Sequence, residues 1–309
     1  MKRKMLNVPK GGYDGMKGFT IVEFLVAGLL SIIVLIAVVS SYFTSRKLND
    51  AANERLAEQQ DLRNAATLIV RDARMAGSFG CFNMSEHIKD VVVSDVPQKN
   101  YLFSLKKSNA NKLIPIAESL NINYQNFFQV SSALIFQYGI DDVNASDATT
   151  VVSSCAAISK PGKQIPTLED AKKELKIVSQ DKEQGNIARQ RHVVNAYAVG
   201  KIAGEGGLFR FQLDDKGKWG NPQLLVKKVK RMKVRYIYVS GCPEDEDVGK
   251  EEQFKYMDKF DGSVTPAGVE VLLDSGSDAK IAASSDNIIY AYRINATIRG
   301  GNVCANRTL

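Results

Sequence analysis

Lys17-Gly18-Phe19-Thr20-Ile21-Val22-Glu23 opens an almost unbroken apolar run that reaches Phe43 and holds one carboxylate, Glu23. A helical run of that length matches the hydrocarbon thickness of a bilayer. An acid at the centre of such a segment costs about 2.5–3.5 kcal/mol on insertion scales, and less near the interface. Glu23 therefore needs a partner that replaces part of its lost hydration. Five basic residues precede the run (Lys2, Arg3, Lys4, Lys10 and Lys17) against one acid, Asp14. Basic flanks stay cytoplasmic, which places the chain beyond residue 43 on the far side of the membrane. An ordinary secretory signal would be shorter and would end in a small-residue cleavage site, whereas here Ser40-Ser41 runs directly into Tyr42.

Between Leu29 and Ala76 there is no Gly and no Pro, which predicts one continuous helix. Its character changes along its length. Residues 19–43 are apolar all round, as lipid requires. In residues 44–76 the apolar positions thin to Leu48, Ala51, Ala52 and Leu56, then Leu62, Ala65, Ala66, Ile69 and Ala73, a spacing that keeps to one helical face. The second half is therefore amphipathic and needs a folded surface to cover that face. Gly77 and Gly80 end the helix, and residues 77–309 are numerous enough to bury a core of their own.

Beyond Gly80 the apolar period shifts toward two, the signature of half-buried strands. Met232, Val234, Tyr236 and Tyr238 alternate with Lys233, Arg235 and Ile237, and residues 288–298 repeat the pattern at Ile288, Tyr290, Tyr292, Ile294, Ala296 and Ile298. Residues 208–213 form a strand that turns at Asp214-Asp215-Lys216-Gly217 and returns over 224–229. A short helix is predicted over 167–177, capped by Thr167, with Asp170 in its first turn and Leu168, Ala171 and Leu175 on one face. Loops are expected at 94–112, 139–166, 179–191 and 241–268. The fold class is α+β, a long N-terminal helix on an antiparallel sheet.

The formal charge of +7 is mostly local, since residues 1–18 contribute +4 of it. The remaining balance is too small to argue for a nucleic-acid partner. Cys81, Cys155, Cys242 and Cys304 lie far apart, at no metal-binding spacing. On the oxidising side of a membrane they form two disulfides. Three pairings are open, with Cys81 to Cys155 and Cys242 to Cys304 the favoured set.

Little else suggests chemistry. His87 and His192 have no neighbouring metal ligands or nucleophiles, so no catalytic residue, metal site or cofactor is assigned. The acidic run Pro243-Glu244-Asp245-Glu246-Asp247, with Glu251 and Glu252, lacks the alternating ligands of a calcium loop and reads as a solvated turn. The basic stretch Lys227, Lys228, Lys230, Arg231, Lys233 and Arg235 could touch DNA, yet a strand sends alternate residues to opposite faces and breaks it up. The glycine-rich pieces 204–207 and 300–301 read as turns.

The Gly18-Phe19 junction, Thr20 and Glu23 resemble the cleavage signal of type IV prepilins. The helix end, Arg71-Asp72-Ala73-Arg74-Met75-Ala76-Gly77-Ser78-Phe79-Gly80-Cys81, resembles the hallmark of the PilW family of pilus assembly proteins. The resemblance implies a type IV pilin fold, with residues 1–18 a leader that prepilin peptidase removes after Gly18. Phe19 would become the N-methylated N-terminus, and Glu23, now fifth, would pair with a neighbouring subunit's ammonium and set assembly register. It further implies a single-pass inner-membrane protein with a periplasmic domain, working with other minor pilins, the major pilin and the inner-membrane assembly platform to start the fibre, near its tip. Ser40 stands where major pilins commonly have a Pro, so no helix break is encoded there. A tip-exposed adhesin or DNA receptor, or a minor pseudopilin of type II secretion, are the alternatives.

Overall fold

The computed structural model describes residues 18–87, 92–93, 113–162, 165–177, 186–240, 253–262, 264–274, 282–283, 289–290, 292–299 and 301. Helix α1 (Ile21–Met75) is unbroken through Ser40. The chain divides into two units, residues 1–57 and 58–309. In the first, every large apolar side chain of α1 is exposed, from Ile21 to Leu56. It is the one helix among the described residues long and apolar enough to cross a membrane.

In the second unit α1 buries Leu62, Ala65, Ile69, Asp72 and Ala73. These positions fall three or four apart, so they form one stripe. The helix end is set by Gly77 (φ 80°) and Gly80 (φ 65°), both in the left-handed region that favours glycine. Short strands β1 (Ser78–Phe79) and β2 (Phe82–Asn83) then form a hairpin, followed by a 3-10 turn at Met84–Glu86 that Asn83 caps.

The remaining elements, in chain order, are β3 (Val92–Val93), β4 (Ile116–Ser119), β5 (Phe127–Gln129), β6 (Ala133–Ile140), β7 (Thr150–Ser153) and β8 (Ile158–Ser159). Helix α2 (Leu168–Glu174) leads to β9 (Ala188–Ile202), β10 (Glu205–Leu213), β11 (Trp219–Lys227) and β12 (Arg231–Ser240). Last come β13 (Gln253–Met257), β14 (Gly268–Asp274), β15 (Ala282–Ala283), β16 (Ile289–Tyr290) and β17 (Tyr292–Thr297). Among the described residues one sheet runs β11-β10-β9-β7-β8-β3, with β4, β5 and β6 attached, and a second runs β13-β12-β14-β17. All pairs in both are antiparallel except β3 with β8.

The stripe of α1 shares one core with the inner faces of both sheets. Leu62 and Ile69 belong to one buried cluster with Leu134, Tyr197 and Leu208 of the larger sheet and Val234, Val271 and Ile294 of the smaller. Fully burying a Leu or Ile is worth about 1.5–3 kcal/mol, so this stripe fastens the helix end. The other face of the larger sheet carries a second cluster built on Ile135, Phe209 and Phe211.

Several expectations need correction. The expected loop over 139–166 contains β7 and β8, that over 179–191 ends inside β9, and that over 241–268 contains β13. β6 and β9 are buried on both faces, so they lack the alternation that marks a half-exposed strand. α2 is shorter than predicted, and although Thr167 caps it, accepting from the Asp170 amide at 3.1 Å, Leu168 is exposed. Of the glycines at 204–207, Gly206 and Gly207 are strand residues of β10. A Cβ on Gly207 would lie 2.2 Å from the carbonyl oxygen of Val226, so the close backbone approach of β11 demands glycine. The stretch 94–112 and residues 288 and 300 lie outside the described residues.

Candidate functional site

At the N-terminus, Gly18, Phe19 and Thr20 precede α1, and Phe19 is 87% exposed. Gly18 has open space where a Cβ would stand and no positive φ, so the fold itself places no demand for glycine there. Glu23 is exposed in the first turn of α1. Its Oε2 accepts from the Thr20 amide and hydroxyl, each at 2.9 Å, while the Glu23 amide donates to Thr20 Oγ1 at 3.3 Å. This reciprocal pattern is a capping box, a local use of Glu23 legible in the Thr-x-x-Glu spacing. Both side-chain bonds fall on Oε2, which leaves Oε1 for another group.

The helix end holds a buried polar site that the sequence did not disclose. Asp72 is fully buried in the last turn of α1, the negative end of the helix dipole, where a carboxylate is locally unfavourable. The larger sheet compensates it. Tyr138 of β6 donates to Oδ1 at 2.9 Å; Tyr197 and Asn195 of β9 donate to Oδ2 at 2.6 and 2.8 Å. Arg71 lies 3.1 Å from Oδ1, and Arg210 of β10 brings Nε to 3.6 Å from Oδ2. Burial first, then the neighbouring Asp72 charge, pushes the Tyr138 phenol up to about 12 and the Tyr197 phenol higher still, so both remain donors. The one available signal was an acid on the apolar stripe, three residues after Ile69.

Cys81 and Cys155 are disulfide-bonded, as favoured, and tie the chain just after α1 to the segment following β7. Cys242 and Cys304 lie outside the described residues, as does the acidic run at 243–252. Ser153 Oγ also donates to the Phe79 carbonyl at 2.8 Å, beside the disulfide.

Three residues of the basic stretch, Arg231, Lys233 and Arg235, are ion-paired. Lys233 meets Asp258 at 3.1 Å, Arg231 approaches Asp274 at 3.9 Å, and Arg235 together with Arg293 brackets the buried Glu270. His87 stacks on Phe82 at a 4.4 Å ring separation. His192 is buried and within 3.1 Å of Gln137 Oε1. Burial pushes its pKa down to about 3.

The unfolded chain binds a proton to this histidine near pH 6.5 and the folded chain does not, so its stability contribution is complete above pH 6.5 and is lost as pH falls toward 3. Between pH 7 and pH 5 the loss is about 2 kcal/mol. Urea unfolding of a His192→Gln variant should show a correspondingly flatter stability profile over that range. An unchanged slope would remove His192 as its source.

A scan against protein-family models finds no match for this chain, and no curated protein matches it.

Proposed function

We propose that this chain is a type IV minor pilin of the PilW branch, cut after Gly18, that helps to prime pilus assembly from the inner membrane. It works with other minor pilins, the major pilin and the assembly platform, its folded domain in the periplasm and its place near the fibre tip. The observation that carries this reading is a helix whose large apolar side chains from Ile21 to Leu56 are all exposed, which starts just after a Gly-Phe junction and holds one carboxylate at the fifth position after it. Three features support it. A glycine that the fold does not require at residue 18 is suited to recognition by a peptidase. Glu23 caps its own helix through Oε2 and keeps Oε1 for a neighbour's ammonium, which in lipid would offset much of the carboxylate's desolvation cost. The helix end that resembles the PilW hallmark supplies Asp72, the two left-handed glycines and Cys81, which together join helix to sheet. The ion pairing of Arg231, Lys233 and Arg235 argues against a nucleic-acid surface there.

Glu23→Val tests the reading. The variant should insert in the membrane and lose its leader normally, while surface pili counted by electron microscopy fall at least about tenfold, as expected where the desolvated carboxylate's pairing is lost. Normal pilus numbers would remove Glu23 from assembly.

A further inference from the structure

On the face of the larger sheet opposite α1, a cavity of about 820 Å³ opens between the segment after β4 and the β10–β11 turn. Its volume is within the range of small-ligand sites, roughly 300–1,000 Å³. Two partly buried aromatics, Tyr124 and Trp219, line it, and around them stand Glu118, Asn123, Gln125 and Lys218. We propose that this cavity binds a neutral saccharide of two or three rings.

The cavity wall is rigid. Gln129 clamps the segment by accepting from the Ile122 amide at 2.8 Å and donating to the carbonyls of Ser119 and Ser131 at 2.9 and 2.7 Å. Asn126 sits at φ 60° in the turn, and the Phe127 amide donates to the Tyr124 carbonyl at 3.1 Å. Beneath, Tyr124 and Phe127 pack on Phe211 at ring separations of 5.6 and 4.8 Å. A loop held this way loses little entropy when a ligand binds.

The polar groups on that wall are unspent. Among the described residues the side chains of Asn123, Gln125 and Lys218 make no hydrogen bond or ion pair, whereas the Glu118 carboxylate is turned to the α1 side of the sheet, accepting from Tyr236 at 2.7 Å. Two amides and an ammonium supply the donors and acceptors that vicinal hydroxyls need. Flat aromatic side chains with a polar tip suit the C–H face of a pyranose ring. A peptide fits less well: β11, the adjoining edge strand, carries Pro222 and pairs through two register irregularities, which blunts it against strand addition.

This inference does not rest on the assembly role, because all its residues lie in the folded domain and binding is read directly. Trp219 is the chain's one tryptophan, so its emission reports the cavity. The full chain, in micelles of an amine-oxide detergent free of sugar headgroups, is titrated with lactose, N-acetyllactosamine and chitobiose. At least one should give a saturable emission change, and Asn123→Ala with Gln125→Ala should weaken it at least about tenfold, two hydrogen bonds lost. Calorimetry on Trp219→Phe should retain binding, since an aromatic face remains. The proposal is overturned if none of the three sugars saturates the signal, or if the double variant, whose changes are on exposed positions, binds as well as the parent.

Discussion

Asp72→Ala should lower the stability of the folded domain by about 4 kcal/mol, the loss expected when one partner of a buried charged cluster is removed. For a domain of this size that is a fall of about 12 °C in the thermal midpoint. The cost arises from what is left behind. Tyr138, Tyr197 and Asn195 would each lose their acceptor in a buried site, and Arg210 would lose its nearest carboxylate. Arg71 is half exposed and can turn to water, so it adds little. Two milder variants calibrate the effect: Tyr138→Phe removes one donor and should cost about 1–1.5 kcal/mol, and Asp72→Asn should fall between the two. Near-ultraviolet circular dichroism during heating would follow the transition. A midpoint within 3 °C of the parent for Asp72→Ala would show that the cluster contributes no more than an ordinary surface contact.

The second large effect belongs to the disulfide. Cys81 and Cys155 are 74 residues apart, and closing a loop of that length removes about 4.5 kcal/mol worth of entropy from the unfolded chain in the chain-entropy account. Replacing both by Ser should shift the urea midpoint down accordingly. The β1–β2 hairpin and the Ser153 to Phe79 hydrogen bond would keep the native path of the chain there, so the folded structure should survive. The loss should therefore appear in unfolding free energy and leave near-ultraviolet spectra unchanged. A double variant as stable as the parent would mean that the unfolded chain already holds these segments together.

Both effects concern one junction. α1 enters the folded domain through its last five turns, and Asp72, Gly77, Gly80 and Cys81 all act within ten residues of each other. This region adds polar and covalent links between the helix and the sheets to the apolar contacts of Leu62, Ala65 and Ile69. Asp72 is linked to β6, β9 and β10, and Cys81 to the segment after β7.

How much of this was legible differs element by element. The stripe Leu62, Ala65, Ile69 and Ala73 was readable because a helix brings residues three and four apart together, and the same residues are buried. The inner face of β12 was readable for the analogous reason at period two, with Met232, Val234 and Tyr236 all buried. The β10–β11 hairpin and the Thr167 cap depend on neighbouring residues and were found, although β11 begins at Trp219, earlier than expected. β6 and β9 were missed, since burial on both faces erases periodicity. The capping role of Glu23 was within reach of its spacing; the tyrosine partners of Asp72 were not, because Tyr138 and Tyr197 lie 66 and 125 residues away.

By itself, then, the sequence determined what depends on short-range spacing: a bilayer-length helix with one acid near its start, an amphipathic continuation, a glycine stop and the strand periodicities that follow. Tertiary structure alone decided that the strands form two sheets around a shared helix stripe, that Asp72 is the anchor of the helix end, and that Tyr124, Trp219 and two amides meet around one cavity. The physical reason is range. Periodicity and capping are fixed by contacts within about four residues along the chain. Which buried acid finds which donor is fixed by how the sheets close around it.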